Sequence, residues 1–177
     1  MPKVSIIVPV YGVEKYIERC ARSLFEQTLD DIEYLFIDDC TPDKSVEILK
    51  RVLEEYPHRK SQVVIHRMEQ NSGQAKVREW GMRNARGEYV IHCDSDDWVD
   101  VHMYEKMYNK AIEENADVVV CDFCSTDCEN EQYSKGLISK ERENVIADIL
   151  LWRIAGCLWN KLVKRKEYTD HDLNYPT

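Results

Sequence analysis

The chain has 177 residues, 44% apolar and 32% charged, with a formal net charge of −9. One domain fits that length, and six Gly with five Pro exclude a collagen-like, low-complexity or disordered chain. So acidic a balance argues against non-specific binding to nucleic acid or anionic membrane, which needs Lys/Arg surfaces. No apolar run approaches the roughly 18 residues of a membrane span. The first run, Val4–Tyr11, meets Gly12 and then charged residues, unlike the long apolar segment of a signal peptide. The expectation is a cytoplasmic chain, and the odd set of Cys20, Cys40, Cys93, Cys121, Cys124, Cys128 and Cys157 reads as reduced thiols.

Short apolar runs alternate with helical patterns. Val4–Val10 is β-branched and reads as a buried strand; Ile17, Cys20, Ala21 and Leu24 then recur at helical spacing. Tyr34–Ile37 is a second strand ending at Asp38-Asp39. Pro42 opens a helix with Val46, Leu49, Leu53 and Tyr56 on one face and Pro57 as its stop. Gln62–His66 is a third strand, and Gly73–Arg86 a third helix closed by Gly87. Tyr89–Cys93 is a fourth strand running into Asp94-Ser95-Asp96-Asp97; Met103, Met107, Ala111 and Ile112 mark a fourth helix, and Asp117–Cys121 a fifth strand. Beyond residue 121 the pattern changes. Asp122–Gly136 reads as loop or short edge strands, Ser139–Trp152 as a helix and Trp159–Arg165 as a short amphipathic piece. Repeated β-α units predict an α/β fold with a mostly parallel, doubly wound sheet covered on both faces. Ligands of such sheets sit beyond the carboxyl ends of the strands, where both acidic clusters fall.

Asp94, Asp96 and Asp97 lie within four residues and repel one another unless a cation compensates. Hard oxygen ligands suit Mg²⁺ or Mn²⁺, above all when a diphosphate completes the shell. A solvated acidic loop capping the next helix is the plainer reading, and the strand-end position favours the metal. Asp38-Asp39 could accept from a base or ribose, or could simply serve the following turn. Asn71-Ser72-Gly73 opens a helix bearing Lys76 and Arg78, a place for phosphate or an ordinary capped helix. Cys121, Cys124 and Cys128 have one zinc half-site spacing with no second Cys-x-x-Cys, which favours plain thiols. Neither Gly-x-Gly-x-x-Gly after the first strand nor Gly-Lys-Ser/Thr occurs, so dinucleotide-binding and P-loop readings lose support.

At these residues the sequence resembles the family 2 glycosyltransferases, with their GT-A nucleotide-sugar fold. Val4–Tyr11 with Tyr16-Ile17, Ser23-Leu24 and Gln27-Thr28, Glu33-Tyr34 through Asp38-Asp39, Asn71-x-Gly73, Gly87-Glu88-Tyr89, Asp94-Ser95-Asp96-Asp97-Trp98 and Trp159-Asn160-Lys161-Leu162 carry the likeness over nearly the whole chain. By position, the resemblance implies that Pro9, Tyr11 and Asp39 hold the uracil and ribose of a UDP-sugar. It implies that Asp94 reaches ribose or sugar, Asp96 ligates Mn²⁺ or Mg²⁺, Asp97 supports the metal shell or the sugar, and Arg78 meets the diphosphate. Gly12 stands where the family usually has Asn, Cys40-Thr41-Pro42-Asp43 where it has Gly-Ser-Thr-Asp, and Glu79 where it has Asn. These departures bear on donor contacts and base preference and leave the acidic motif intact.

The implied activity is inverting transfer of a sugar from a UDP-sugar or other nucleotide-sugar to a saccharide or lipid-linked saccharide. Its expected setting is cell-surface polysaccharide synthesis at the inner face of the membrane. Residues 1–121 would form the donor half and 122–177 the start of an acceptor side within one domain. The family's general base follows a stretch like Asp172–Pro176, so the resemblance puts the base beyond Thr177; neither Asp170 nor Asp172 is singled out in its place. Competing readings are a nucleotide-sugar-binding module without catalysis, a nucleotidyltransferase, which Gly12-Val13-Glu14-Lys15 serves poorly, and a phospho-acceptor domain, which leaves the second acidic cluster unexplained.

Overall fold

The computed structural model describes residues 1–126, 130–136 and 156–171. In chain order they form β1 (Val4–Val10), α1 (Ile17–Phe25), β2 (Ile32–Asp38), α2 (Ser45–Glu54), a 3₁₀ helix (Pro57–Gln62), β3 (Val63–Arg67), α3 (Gln74–Asn84), β4 (Tyr89–His92), α4 (Met103–Glu113), β5 (Val118–Val120), β6 (Phe123–Thr126), β7 (Glu131–Ser134), β8 (Lys161–Lys164) and α5 (Arg165–Asp170). One six-stranded sheet runs β3-β2-β1-β4-β8-β5, and β6 pairs with β7 separately. β1 through β4 are mutually parallel, with Val4 opposite both Ile32 and Tyr89. β8 is antiparallel to both of its neighbours, with Val163 opposite Val90 and Val118. The sheet is therefore mostly parallel, and the carboxyl ends of β1, β2 and β4 share one edge.

β1 is continuously apolar because both of its faces are covered. Val4, Ile6, Val8 and Val10 join the larger core with Leu24, Phe25, Phe36, Leu49 and Tyr104, whereas Ile7 joins Leu35, Ile37, Val77 and Val90 beneath α3. α1 buries Ile17, Cys20, Ala21, Leu24 and Phe25, the spacing of a helix with one apolar face. Its last turn is tied to β2 by Tyr34, whose hydroxyl donates to the Leu24 carbonyl at 2.7 Å while its ring meets Phe25 edge-on at 5.5 Å.

Several boundaries depart from the sequence expectation. α2 begins at Ser45 rather than at Pro42, because residues 41–44 make a side-chain network instead of a helical turn. α3 ends at Asn84 with Ala85 extended, so Gly87 is not its C-terminal stop. Gly87 instead passes close to β1: a Cβ there would lie 2.5 Å from the Ser5 nitrogen. Trp159–Arg165 is not a free amphipathic piece, since its Lys161–Lys164 enters the main sheet between β4 and β5. The expected helix at Ser139–Trp152 lies outside the described residues, as does Cys128. Residues 172–177, with Asp172 and the stretch Asp172–Pro176, lie outside them too. Cys121 and Cys124 are free thiols, and among the described residues no three His, Cys, Asp or Glu form a metal-holding group.

Candidate functional site

A cavity of about 430 Å³ opens at the shared carboxyl edge of the sheet. Pro9, Val10, Tyr11 and Val13 at the end of β1 form one wall, and Asp39 follows β2. Asn71, Gly73, Gln74 and Val77 line it from the start of α3, and Asp94, Ser95 and Asp96 from the loop after β4. Parallel strands bring these segments together because their ends are in register. Of the residues singled out in the sequence, Pro9, Tyr11, Asp39, Asp94 and Asp96 line this cavity, whereas Arg78 and Asp97 stand just outside it. Val10, Val13, Gln74, Val77 and Ser95 were not legible as site residues. Val10, Val13, Val77 and Ser95 are apolar or small and Gln74 is an uncharged amide, so none marks a site by itself, and only the fold brings them to the cavity.

The two acidic residues after β2 differ in what they hold. Asp38 is buried, accepts from the Thr41 amide at 2.7 Å and pairs with Arg67 at 2.8 Å. Asp39, 5% exposed, accepts from the amides of Ser72 and Gly73 at 2.7 and 2.9 Å. It therefore holds the entry to α3 beside the cavity, and its remaining lone pairs are what a ligand could meet. Cys40 turns the chain just after them with φ 57°, a left-handed conformation that costs a non-glycine residue energy, while its thiol donates to the Met68 carbonyl at 3.0 Å.

Asp94 is paired with Arg78, Nη2 to Oδ1 at 2.7 Å, and both side chains are largely shielded. Arg78 thus sits behind Asp94, and its Nε is buried without a partner among the described residues. His92 lies near this guanidinium. Burial, with the Arg78 charge second, holds its imidazole neutral, with a pKa pushed down to about 3. The Asp97 amide donates to the Asp94 carbonyl at 3.1 Å and closes the acidic loop into a tight turn. Desolvation raises the Asp97 carboxyl above its ordinary value, the Asp96 and Asp94 charges add to that, and Arg19 opposes it. Arg19 also lies over the Trp98 ring, 3.5 Å from its centre, anchoring the far side of the loop.

Carboxylate crowding of this kind fits a hard divalent cation. Asp96 is exposed at the cavity, and its oxygen donors suit Mg²⁺ or Mn²⁺. The described residues do not form a closed cage, so a metal here would take the rest of its shell from ligand oxygens and water.

Trp159-Asn160-Lys161 is a joint between strands. Asn160 is fully buried, its carbonyl accepts from the Cys121 amide at 3.0 Å, and its side chain meets the Cys121 carbonyl. Lys161 Nζ donates to the Cys157 carbonyl at 2.7 Å and to Asn160 Oδ1 at 2.8 Å, and Trp159 packs edge-on against Phe123. Burial pulls the Lys161 pKa below its ordinary value.

Three comparisons bear on this arrangement. EpsH of Bacillus subtilis (strain 168), which bears a glycosyltransferase name, is 34% identical over 184 residues, covering 99% of this chain and 51% of that protein. The chain thus spans about half the length of that relative. Staphylococcus aureus TarS 1-349 in complex with UDP-GlcNAc superposes with a TM-score of 0.81 at 23% identity, over 98% of this chain and 48% of that one. The mannosyltransferase PcManGT from Pyrobaculum calidifontis, in complex with GDP-Man and Mn²⁺, gives a TM-score of 0.69 at 18% identity over 99% of this chain and 48% of that one. At such identities the two structures establish the fold, the mostly parallel GT-A sheet. A family description, "Glycosyl transferase family 2", matches residues 5–169, nearly the whole chain, and the chain therefore belongs to glycosyl transferase family 2.

Proposed function

We propose that the protein transfers a sugar from a UDP-sugar to a saccharide or lipid-linked saccharide acceptor with inversion. The observation that carries this reading is the cavity in which an aromatic and apolar wall, Pro9, Tyr11 and Val13, faces an acidic rim, Asp94 and Asp96. A flat wall suits a base, and an acidic rim suits the metal-bound end of a diphosphate. TarS was solved with UDP-GlcNAc and PcManGT with GDP-Man and Mn²⁺, which supports a nucleotide-sugar and a divalent metal here.

In this reading Tyr11, half-exposed and without a ring partner among the described residues, stacks on the uracil, and Asp39 accepts from base or ribose with its spare lone pairs. Asp94, held by Arg78, is aimed at ribose or sugar, Asp96 would hold Mn²⁺ or Mg²⁺, and Asp97 supports that loop. When bound, the metal supplies charge neutralisation for the leaving diphosphate. The chain's own contribution is orientation: the sheet edge fixes where the nucleotide lies, and the tight 94–97 turn fixes where the acidic side chains point. A base that takes the acceptor proton in line contributes about 10²–10⁴-fold in such reactions. The lining carboxylates Asp39 and Asp94 are already engaged by amides and Arg78, so neither is assigned that role. Residues 1–121 carry the donor half, and the region after 121 begins the acceptor side. No helix among the described residues is long and apolar enough to cross a membrane, and action at the inner membrane face is part of the proposal.

Calorimetric titration of UDP in the presence of Mn²⁺, and again in EDTA, tests the reading. The expected result is binding that needs the metal and weakens at least about tenfold in Asp96→Ala. Equal affinity of Asp96→Ala and the unaltered chain in Mn²⁺ overturns the metal assignment, and binding of GDP without UDP overturns the donor.

A further inference from the structure

The loop after β1 carries two cavity-lining residues, Tyr11 and Val13, yet it has no regular structure of its own to hold it. Its three successive amides are instead taken up by side chains at and just before the start of α2. Gly12 donates to Thr41 Oγ1 at 2.8 Å, Val13 to Ser45 Oγ at 3.1 Å and Glu14 to Asp43 Oδ2 at 2.9 Å. Asp43 organises all three. Its Oδ1 accepts from the Thr41 hydroxyl at 2.7 Å, from the Ser45 hydroxyl at 2.5 Å and from the Ser45 amide at 3.0 Å. A hydroxyl has one proton; once given to Asp43, its lone pairs can only accept. The carboxylate therefore sets the direction of both hydroxyls and makes them acceptors for Gly12 and Val13. Glu14 closes the array from the other side by accepting from the Lys44 amide at 3.2 Å.

The geometry points to Asp43 as a positioning residue for the nucleotide end of the cavity, acting through the Gly12, Val13 and Glu14 amides to hold Tyr11 and Val13 where a base stacks. This rests on the proposed UDP-sugar reading for the identity of the ligand. Asp43 itself does not line the cavity. It acts at one remove, and its charge strengthens each hydrogen bond that it accepts. Gly12, with φ +70° and open space around its Cβ position, gives the loop the turn that the three amides require.

Asp43→Asn is the decisive variant. The amide oxygen can keep the two hydroxyls and the Ser45 amide, so the start of α2 stays intact. The NH₂ that replaces Oδ2 cannot accept from Glu14. A role confined to capping α2 would leave this variant like the unaltered chain. The positioning role predicts melting within a few degrees of the unaltered chain, faster hydrogen exchange at Glu14, whose acceptor is lost, and UDP affinity in Mn²⁺ weaker by about tenfold, the worth of one charge-assisted hydrogen bond. Thr41→Val and Ser45→Ala, which free the Gly12 and Val13 amides, should weaken UDP in the same direction, and Thr41→Ser should restore most of what Thr41→Val loses. Unchanged exchange at Glu14 in Asp43→Asn overturns the inference, as does unchanged UDP affinity when the unaltered chain binds. If the unaltered chain takes up no UDP, the donor reading fails instead, and exchange at Glu14 alone decides whether Asp43 holds the loop.

Discussion

Arg59 brings a full charge into the interior, and no carboxylate lies within ion-pair distance of it among the described residues. It is 4% exposed and donates to the carbonyls of Phe25, Leu29 and Asp30 at 3.1, 3.2 and 3.3 Å, to that of Gln27, and to Gln62 Oε1 at 3.0 Å. The carbonyls just past α1 carry the negative end of its dipole, so the guanidinium clamps the turn into β2. Arg59→Ala strands several of these acceptors, and chemical denaturation should show a loss of about 2–4 kcal/mol; Arg59→Lys should recover little, because an ammonium cannot span the same fork. Asp43 supplies a pH signature at the same scale. Burial works to raise its carboxyl, but the hydrogen bonds from Ser45, Thr41 and the Ser45 and Glu14 amides prevail and pull it down to about 2. A depressed carboxyl stabilises the fold above its unfolded value of 3.8 and loses that contribution as pH falls toward 2. The stability difference between the unaltered chain and Asp43→Asn should therefore stay level from pH 7 to about 5 and shrink below about 4, as read from urea melts at each pH.

α3 illustrates how an element can be visible in sequence while its docking is not. Its fully buried residues are Val77 and Gly81, with Trp80 and Met82 partly buried beside them, so its face toward the sheet joins apolar packing to one close approach. A Cβ at Gly81 would lie 2.5 Å from Ile7 Cγ2, so helix and strand touch where glycine stands. Gly81→Ala should cost about 1–3 kcal/mol through overpacking despite alanine's better helix propensity, and it should cost less in a chain that already carries Ile7→Ala, which removes the γ carbons it would strike, as a double-mutant cycle by chemical denaturation would show. β8 is the opposite case. Four residues, Lys161–Lys164, carry too little pattern to read as a strand, and their place between β4 and β5 depends on partners about 40 to 75 residues away.

Across the whole molecule the acidic loop works against stability. Desolvation and the neighbouring Asp96 and Asp94 charges raise Asp97, so its ionised form is disfavoured in the fold. Stability from this group accordingly falls as pH rises from the ordinary value of 3.8 through the raised one, the reverse of Asp43. Thermal melts should show Asp97→Asn more stable than the unaltered chain at neutral pH without metal. Mn²⁺ should raise the melting temperature of the unaltered chain more than that of Asp97→Asn, because the cation relieves the repulsion that the substitution has already removed. Equal shifts in both would separate Asp97 from any metal.

The alternation of β-branched runs with helical spacing, read in one dimension, already determined the parallel α/β order, because both signals are local and covered strands must be apolar throughout. The two acidic clusters were visible as chemistry and as strand ends for the same reason. Only the tertiary structure decided that Asp39 holds the entry to α3, that Arg78 stands behind Asp94, and that Val13 and Gln74 share a cavity with Asp96. It also decided that Thr41, Asp43 and Ser45 serve the loop after β1 rather than merely opening a helix. Those facts rest on hydrogen bonds between segments some 16 to 34 residues apart and on strand ends brought into register by the sheet, and neither leaves a trace in the local pattern of residues.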